Sequence, residues 1–538
     1  MVKPGPLTPN LYILNYPVRT ILLRSVLLFF CCVLAVNTHA QPKTAVDPAL
    51  AAEHFSHGNF VMALPLYVAL AKKEYKNTEY NQRAGICYLR TNVSKKEAIP
   101  FFEYLTKQPN TEIENWYYLG QAYHFDYKFD EAIKAYQTYS SKVSSQKDKA
   151  KAQLGISQCQ NAKLLVKRPL NVTFENAGKE INTEFPDYYP FVTSDESMLV
   201  YTSRRKGNLG AGSVEMDGYY ASDIWITRSQ NGLFQKAKNA GGQVNGTYDE
   251  QTTGLSADGS WMTVYIDNIT TAGDVYLSPC GKSPGKPVKM GESINEGFET
   301  AASLSPDGNQ IYFASRREGG EGETDIWICR KLPNGEWGKA QNLSALNTPY
   351  REDFPFMSPD GHTLYFASEG HNSMGGFDLF MSVWNEEENT WSTPQNLGYP
   401  LNTPEDNRTI SFTENNRIAY ISAVREGGMG DLDIWRVVFN DVQQESFTAV
   451  VGTILPPDSA FDFSGVVMSV TNVKTQEMVG DYKPNPRTGR FVLALPPGKY
   501  VMTVDAPGCK QLIETIIVFD IGAMSEQRKD IKLLKQSP

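Results

Sequence analysis

Apolar positions along this chain change their period twice. Between residues 47 and 165 they recur every three or four places, as in "WYYLGQAYHFDYKFDEAIKAYQTY" (Trp116–Tyr139), which predicts packed amphipathic helices. From about 170 to 440 the apolar residues gather into short runs such as "IYFAS", "LYFAS" and "IAYIS", bounded by glycine, proline, asparagine and aspartate. Such runs predict strands covered on both faces. From 446 to 535, "GTILPPDSAFDFSGVVMSVTNV" and "NPRTGRFVLALPPGKYVMTVDAPGC" predict four strands with tight turns at Thr488-Gly489 and Pro497-Gly498.

The middle region is a repeat of roughly fifty residues. "SPDGNQIYFASRREGGEGETDIW" aligns with "SPDGHTLYFASEGHNSMGGFDLF". A turn position recurs at Asp195, Asp258, Asp307, Asp360 and Glu414. An acid two residues before an aromatic recurs at Asp223/Trp225, Asp274/Tyr276, Asp325/Trp327, Asp378/Phe380 and Asp433/Trp435. An asparagine recurs at Asn182, Asn245, Asn295, Asn347 and Asn402. Markers that agree on five units predict a five-bladed β-propeller with four strands to a blade. In Ser-Pro-Asp-Gly, proline presets φ and glycine takes the left-handed slot. Asn415 fills that slot in blade five, and Glu196 in blade one predicts a looser turn there. Fourth strands end at Asn239, Met290, Asn342 and Asn396, and a fifth such ending, Asn176, precedes the first blade. Leu170–Gly178 is therefore expected to supply the last strand of blade five and close the ring.

At 538 residues the chain is too long for one core. Arg19 and Arg24 precede the apolar run Ser25–Val36 and then "NTHA", the pattern of a secretory leader cleaved after Ala40. The run is short for a membrane span, and no later segment is apolar enough for one. Removing the leader with its cations Lys3, Arg19 and Arg24 takes the net charge from −9 to −12. No block of like charge stands out along the sequence, which argues against nucleic acid and anionic lipid as main partners. Cys87, Cys159, Cys280, Cys329 and Cys509 are scattered and odd in number, so buried free thiols are expected in place of a disulfide frame or zinc site.

Three resemblances follow from these residues. Trp116, Leu119, Gly120, Tyr123, Ala132 and Tyr136 match the tetratricopeptide repeat pattern, with looser copies around Gly85, Tyr88 and Ala98 and around Ala63 and Tyr67. The propeller region resembles the TolB-like repeats of bacterial periplasmic proteins. "TGRF", "LPPGKY" and "APGC" look like a carboxypeptidase regulatory-like domain. The expected layout is a leader at 1–40, tetratricopeptide repeats at 41–166, a five-bladed propeller at 167–442 and a small β-sandwich at 445–535. The fold class expected is thus multidomain, with an α-helical array, a propeller and a sandwich. This order is similar to that of a group of Bacteroidetes envelope proteins, some associated with type IX secretion, which commonly add an OmpA-like peptidoglycan-binding domain. The sequence stops at Pro538 after the sandwich, so peptidoglycan anchoring is not carried over.

Two glycine-rich stretches, "REGGEGETDIW" from Arg317 and "REGGMGDLDIW" from Arg425, raise the question of a phosphate loop. A phosphate loop needs a lysine-serine or lysine-threonine pair and a following helix, and here a strand follows. The glycines are expected to punctuate the repeat. No GxSxG, HExxH or calcium loop occurs. His54 with His57 lacks a third ligand, and His371 with Ser373 would need an orienting carboxylate. Aligning first strands places Asp187, Glu250, Glu299, Glu352 and Asp406 at one position. These acids either ring the channel mouth, to hold a cation or a basic segment, or accept amides from the loop that carries the repeated asparagine. Trp225, Trp327 and Trp435 are either stacking residues for a ligand or inter-blade packing. The long insertion Lys206–Ser222 in blade one is the place for convergent polar residues.

The expectation is a non-catalytic periplasmic scaffold or adapter, associated with the outer membrane, that binds envelope proteins through its repeats and propeller. It needs no cofactor and no metal. A propeller that binds a glycan or peptide is the alternative, and a propeller hydrolase or lyase stands behind it.

Overall fold

The computed structural model describes residues 46–536 except 211, 213, 268–272, 415, 443–447, 459–460, 497 and 519–525. The leader expected over 1–40 and Asn415 lie outside the described residues. Two compact units divide the chain: Met1–Cys159 with Ser213–Tyr220, and Gln160–Gly212 with Ala221–Pro538.

The first unit is helical. Asn59 and Asn77 cap two of its helices, their Oδ1 atoms accepting from Met62 N at 3.0 Å and Tyr80 N at 3.1 Å. Gly120 lies flat against the Tyr136 ring and Gly85 against Phe102, so the lack of a Cβ at each sets how closely two helices approach. The tetratricopeptide array expected for 41–166 is nevertheless not evident, and this corrects the fold class. The chain is mainly β-sheet, with seven helices and 21% helix among the described residues. These helices run unevenly from Ile99–Thr106 at 8 residues to Gln146–Leu165 at 20, and one helix is preceded by a 3-10 turn at Lys95–Ala98. A small residue opposite an aromatic ring tightens any antiparallel helix pair, so the motif at Trp116–Tyr136 fixes a local contact and does not by itself dictate a uniform array. No helix among the described residues is long and apolar enough to cross a membrane.

The second unit holds five antiparallel sheets in succession. Blade one is Asp187–Val192, Met198–Ser203 and Asp223–Gln230 with the short outer strands Leu233–Phe234 and Lys238–Asn239. Blade two is Asp249–Leu255, Trp261–Asp267, Asp274–Pro279 and Val288–Lys289. Blade three is Glu299–Leu304, Gln310–Ser315, Asp325–Arg330 and Gln341–Asn342, and blade four is Glu352–Met357, Thr363–Ser368 and Asp378–Asn385 with outer strands Thr390–Trp391 and Gln395–Asn396. Blade five is Ile410–Phe412, Ile418–Ala423 and Asp433–Phe439. Its fourth strand is Val172–Asn176, paired antiparallel with Phe439–Trp435. The first strand of blade one lies against blade two on one side and blade five on the other, so the ring closes.

Local chemistry explains the blades. In blade three the Asp307 carboxylate accepts from Ser305 Oγ at 2.5 Å and Asn309 N at 3.1 Å, while Gly308 takes φ +67°. In blade one Glu196 occupies the left-handed slot at φ +55°. Its turn is not loose, as its carboxylate accepts from Tyr420 Oη at 2.8 Å and Arg436 Nε at 2.9 Å in blade five. In blade five the left-handed residue is Asn416, at φ +51°. Phe191, Met262, Phe356 and Phe412, from blades one, two, four and five, belong to one buried core. Strands between Thr448 and Lys532 form two further four-stranded sheets that share one core of Val450, Leu493, Met468, Tyr500 and Ile516. Cys87, Cys159, Cys280, Cys329 and Cys509 are buried free thiols.

Candidate functional site

The glycine-rich loops do cradle an acidic group, and it is a carboxyl of the chain's own. In blade three Glu321 N donates to Asp325 Oδ2 at 2.8 Å and Gly322 N to Asp325 Oδ1 at 3.2 Å. Met374 N does the same to Asp378 at 2.8 Å, Met429 N to Asp433 at 2.5 Å and Leu209 N to Asp223 at 2.7 Å. The acid recurring two residues before the third-strand aromatic is thus the occupant of each loop nest. Blade two has a different solution, with Asp274 paired to Lys289 Nζ at 2.7 Å. Burial raises the carboxyls of Asp223, Asp325 and Asp433, and pushes Asp378 up to about 8.

The repeated asparagine is a two-point clamp between blades. Asn245 Oδ1 accepts from Ile224 N at 3.0 Å and its Nδ2 donates to Ile224 O at 2.9 Å. Asn295 clamps Val275, Asn347 clamps Ile326 and Asn402 clamps Leu379 in the same way.

Four first-strand carboxylates turn into the loop that follows this asparagine. Glu250 accepts from Gly246 N at 2.9 Å, Glu299 from Gly297 N at 3.0 Å and Glu352 from Thr348 N at 2.8 Å. Asp187 accepts from Thr183 N at 2.6 Å and from the Arg205 guanidinium. All four are buried. Burial pushes Glu250 and Glu352 up to about 7, against the pull of these amides. In blade five this position belongs to Asn407, whose Oδ1 accepts from Thr403 N at 2.7 Å. Asp406 lies one residue earlier, half exposed, with Phe377 N at 3.1 Å and Arg408 Nη2 at 2.7 Å. Four of the aligned acids are thus bonded into their own loops, and the fifth, Asp406, stands one residue out of register.

The other candidates are also committed locally. His371 Nε2 lies 2.9 Å from Leu346 O, and Ser373 Oγ donates to the carbonyls of Gly375 and Gly376 at 3.1 Å. Trp225 Nε1 donates to Asn208 Oδ1 and Trp435 Nε1 to Ala423 O, both at 3.0 Å, and Trp327 is buried beneath Arg317. Within the Lys206–Ser222 insertion, Asn208 also bonds the carbonyls of Ser203 and Ala221, while Ser213–Tyr220 groups with the helical unit.

A cluster that the repeat markers did not single out lies where the first strands meet. Tyr189 and Phe354 sit two residues after Asp187 and Glu352, at bulges in the first strands of blades one and four. Both hold left-handed backbone, at φ +52° and +50°, and their ring centroids are 4.5 Å apart. These blades are not neighbours, so the contact crosses the middle of the ring. Asp353 is buried beside it, accepting from Thr300 Oγ1 at 2.6 Å and Phe354 N at 2.8 Å. The Arg408 and Arg351 guanidinium groups stand 4.6 and 4.9 Å from the Phe377 ring centre. Burial raises the Tyr189 hydroxyl to about 12, with Arg408 opposing the shift. The signal in sequence was faint: two aromatics at the same offset in "DYYPF" and "EDFPF".

No known protein family matches the chain, and no curated protein matches it. Among solved structures, it is similar to TolB from Acinetobacter baumannii at 18% identity and a TM-score of 0.31, covering 48% of this chain and 56% of that one. The likeness thus takes in a little over half of that TolB. A putative TolB from Agrobacterium tumefaciens aligns at 14% identity over 60% of this chain and 98% of its own, with a TM-score of 0.31. A GH43_1 enzyme from Xanthomonas citri aligns at 12% identity over 52% and 92%, with a TM-score of 0.32. TolB-like propellers are among its structural neighbours, beside enzymes.

Proposed function

We propose that this chain is a non-catalytic binding protein of the periplasm whose propeller holds a segment of a partner protein against the axial cluster. The observation that carries this reading is the Tyr189–Phe354 pair. Left-handed backbone at a bulky residue costs about 1–3 kcal/mol. The repeat does not require it, because Thr252, Ala301 and Thr409 fill the same place in the other blades without a positive φ. Strain held at one point where two rings, a buried carboxylate and two guanidinium groups converge suits recognition of an apolar side chain flanked by charge. The sequence resemblance to envelope proteins, some associated with type IX secretion, supports an outer-membrane or secretion-assembly component as the partner, and the expected leader supports the compartment. A glycan is the second reading, favoured by the Asp353 carboxylate beside two aromatic rings in contact.

Cross-linking in cells, compared between the natural chain and a Tyr189→Gly/Phe354→Gly variant, tests the proposal. One dominant attached envelope protein is expected, and the variant loses it. Melting should move by only a few degrees, since relief of backbone strain offsets much of the lost ring packing. An unchanged set of attached proteins overturns the reading. Turnover of a glycan or peptide by the purified chain replaces it with catalysis.

A further inference from the structure

The ends of the strands away from the glycine-rich loops carry the third-to-fourth-strand hairpins, and these have a charge pattern that the repeat does not demand. The third-strand aromatics Trp225, Tyr276 and Trp327 face Asn239, Lys289 and Asn342 in the fourth strand. Counting back three residues from each gives Lys236, Lys286 and Lys339, three lysines in one register, all exposed. The same register holds Thr393 in blade four, where Phe380 faces Asn396, and Thr173 in blade five, where Trp435 faces Asn176. Threonine therefore satisfies the fold, and lysine is confined to blades one to three. Lys238, Lys282 and Lys331 add to the same hairpins, and none of these six lysines has an ion-pair partner among the described residues. The corresponding hairpin of blade four carries exposed Glu386, Glu387 and Glu388 instead.

Large apolar side chains stand out of this basic side. Leu233 is 71% exposed, Val288 67%, Leu332 45% and Trp261 43%. Trp261 pairs with Pro279 and Val288 with Leu277, so they share one face of blade two. Arg228 of blade one bonds the Gly281 carbonyl of blade two, which ties those two hairpins together, and Ser293, in the connector after blade two, donates from Oγ to Trp337 O in the blade-three hairpin at 3.2 Å. Among the acids at this end, Asp258 and Asp307 are wrapped by the hydroxyls and amides of their own turns, and the exposed Glu336 of the blade-three hairpin accepts from Asn334 Nδ2 at 2.8 Å. Lysines interleaved with a tryptophan and aliphatic side chains, on a chain of net negative charge, match the headgroup and upper acyl region of an anionic bilayer.

We propose that the hairpin edge of blades one to three docks on an anionic phospholipid surface, with Leu233, Val288, Leu332 and Trp261 entering the headgroup layer. This reading is independent of the axial cluster, and the failure of either leaves the other standing.

Co-sedimentation of the chain from Gln41 onward with vesicles is the test. Binding to vesicles containing phosphatidylglycerol, little binding to pure phosphatidylcholine, and loss of binding in 0.5 M salt are expected. Lys236→Gln/Lys286→Gln/Lys339→Gln should weaken partition about a hundredfold, at roughly fivefold for each lysine. Val288→Asp should weaken it at least about tenfold with an unchanged melting temperature. Equal binding to both lipids, or full binding by the triple lysine variant, overturns the proposal. Capture of soluble polyphosphate without any vesicle binding overturns it as well, and assigns the lysines to a polyanion.

Discussion

Asn182 and Ile434 are 252 positions apart, yet the asparagine amide holds both main-chain groups of the isoleucine: Oδ1 accepts from Ile434 N at 2.8 Å and Nδ2 donates to Ile434 O at 3.0 Å. The side chain imitates a strand partner and latches blade one to blade five. Asn182→Ala leaves two buried peptide groups without partners, and a loss of about 3 kcal/mol is expected by denaturant titration. Asn182→Asp keeps the acceptor and loses the donor, so it should fall between the two.

Blade five uses Asn407 where the other blades use an acid, and Asp406 does different work. Asn407→Asp retains the oxygen that accepts from Thr403 N and should change the melting temperature by no more than a degree or two. Asp406→Ala leaves Arg408 without its ion-pair partner beside the axial cluster. It is expected to lower binding of the cross-linked partner more than it lowers stability.

Gly320 sits so close to the Asp325 carboxylate that a methyl group there would collide with it. Gly320→Ala should cost about 1–3 kcal/mol. Inorganic phosphate should not raise the melting temperature of the natural chain, because Asp325 already fills the nest. A phosphate-dependent rise, measured by differential scanning fluorimetry, would restore the phosphate-loop reading.

Burial raises Glu250 and Glu352 from an ordinary value of 4.5 to about 7. The sign follows from linkage: the folded state binds protons more tightly than the unfolded one. The contribution to stability is complete below about pH 4.5 and is lost as pH rises through about 7. It is worth up to about 3 kcal/mol per group. The propeller transition should therefore melt higher at pH 5.5 than at pH 8, and Glu250→Gln with Glu352→Gln should flatten that difference.

What the sequence disclosed depended on the kind of residue. Ser-Pro-Asp-Gly and the recurring asparagines encode turn geometry and a two-point hydrogen bond, which few residues can supply, so the repeat and its closing strand were legible. The acid of the first strand only needs one accepting oxygen, and asparagine offers that equally well. Alignment by charge therefore slipped by one residue, from Asn407 to Asp406. Glu196 reads as a poor turn residue from its neighbours alone, because its support comes from Tyr420 and Arg436, more than 220 residues away. The helices were over-read for the opposite reason. Trp116, Gly120 and Tyr136 report one close approach, whereas an array depends on lengths set by caps and turns such as Lys95–Ala98. Tyr189 and Phe354 were missed because a left-handed bulge is a property of the backbone that no side-chain pattern announces.

The borrowed strand at Val172–Asn176 also dictates an order of assembly. Four blades have every strand in hand as the chain emerges, but the fifth joins a segment that precedes them all to one that ends at Phe439. Until synthesis passes that residue, the nascent ring is an open crescent with an unpaired β edge at its seam. A chaperone would be needed longest at that seam, and a nonsense codon shortly before residue 433 would leave an aggregation-prone fragment in place of a smaller propeller.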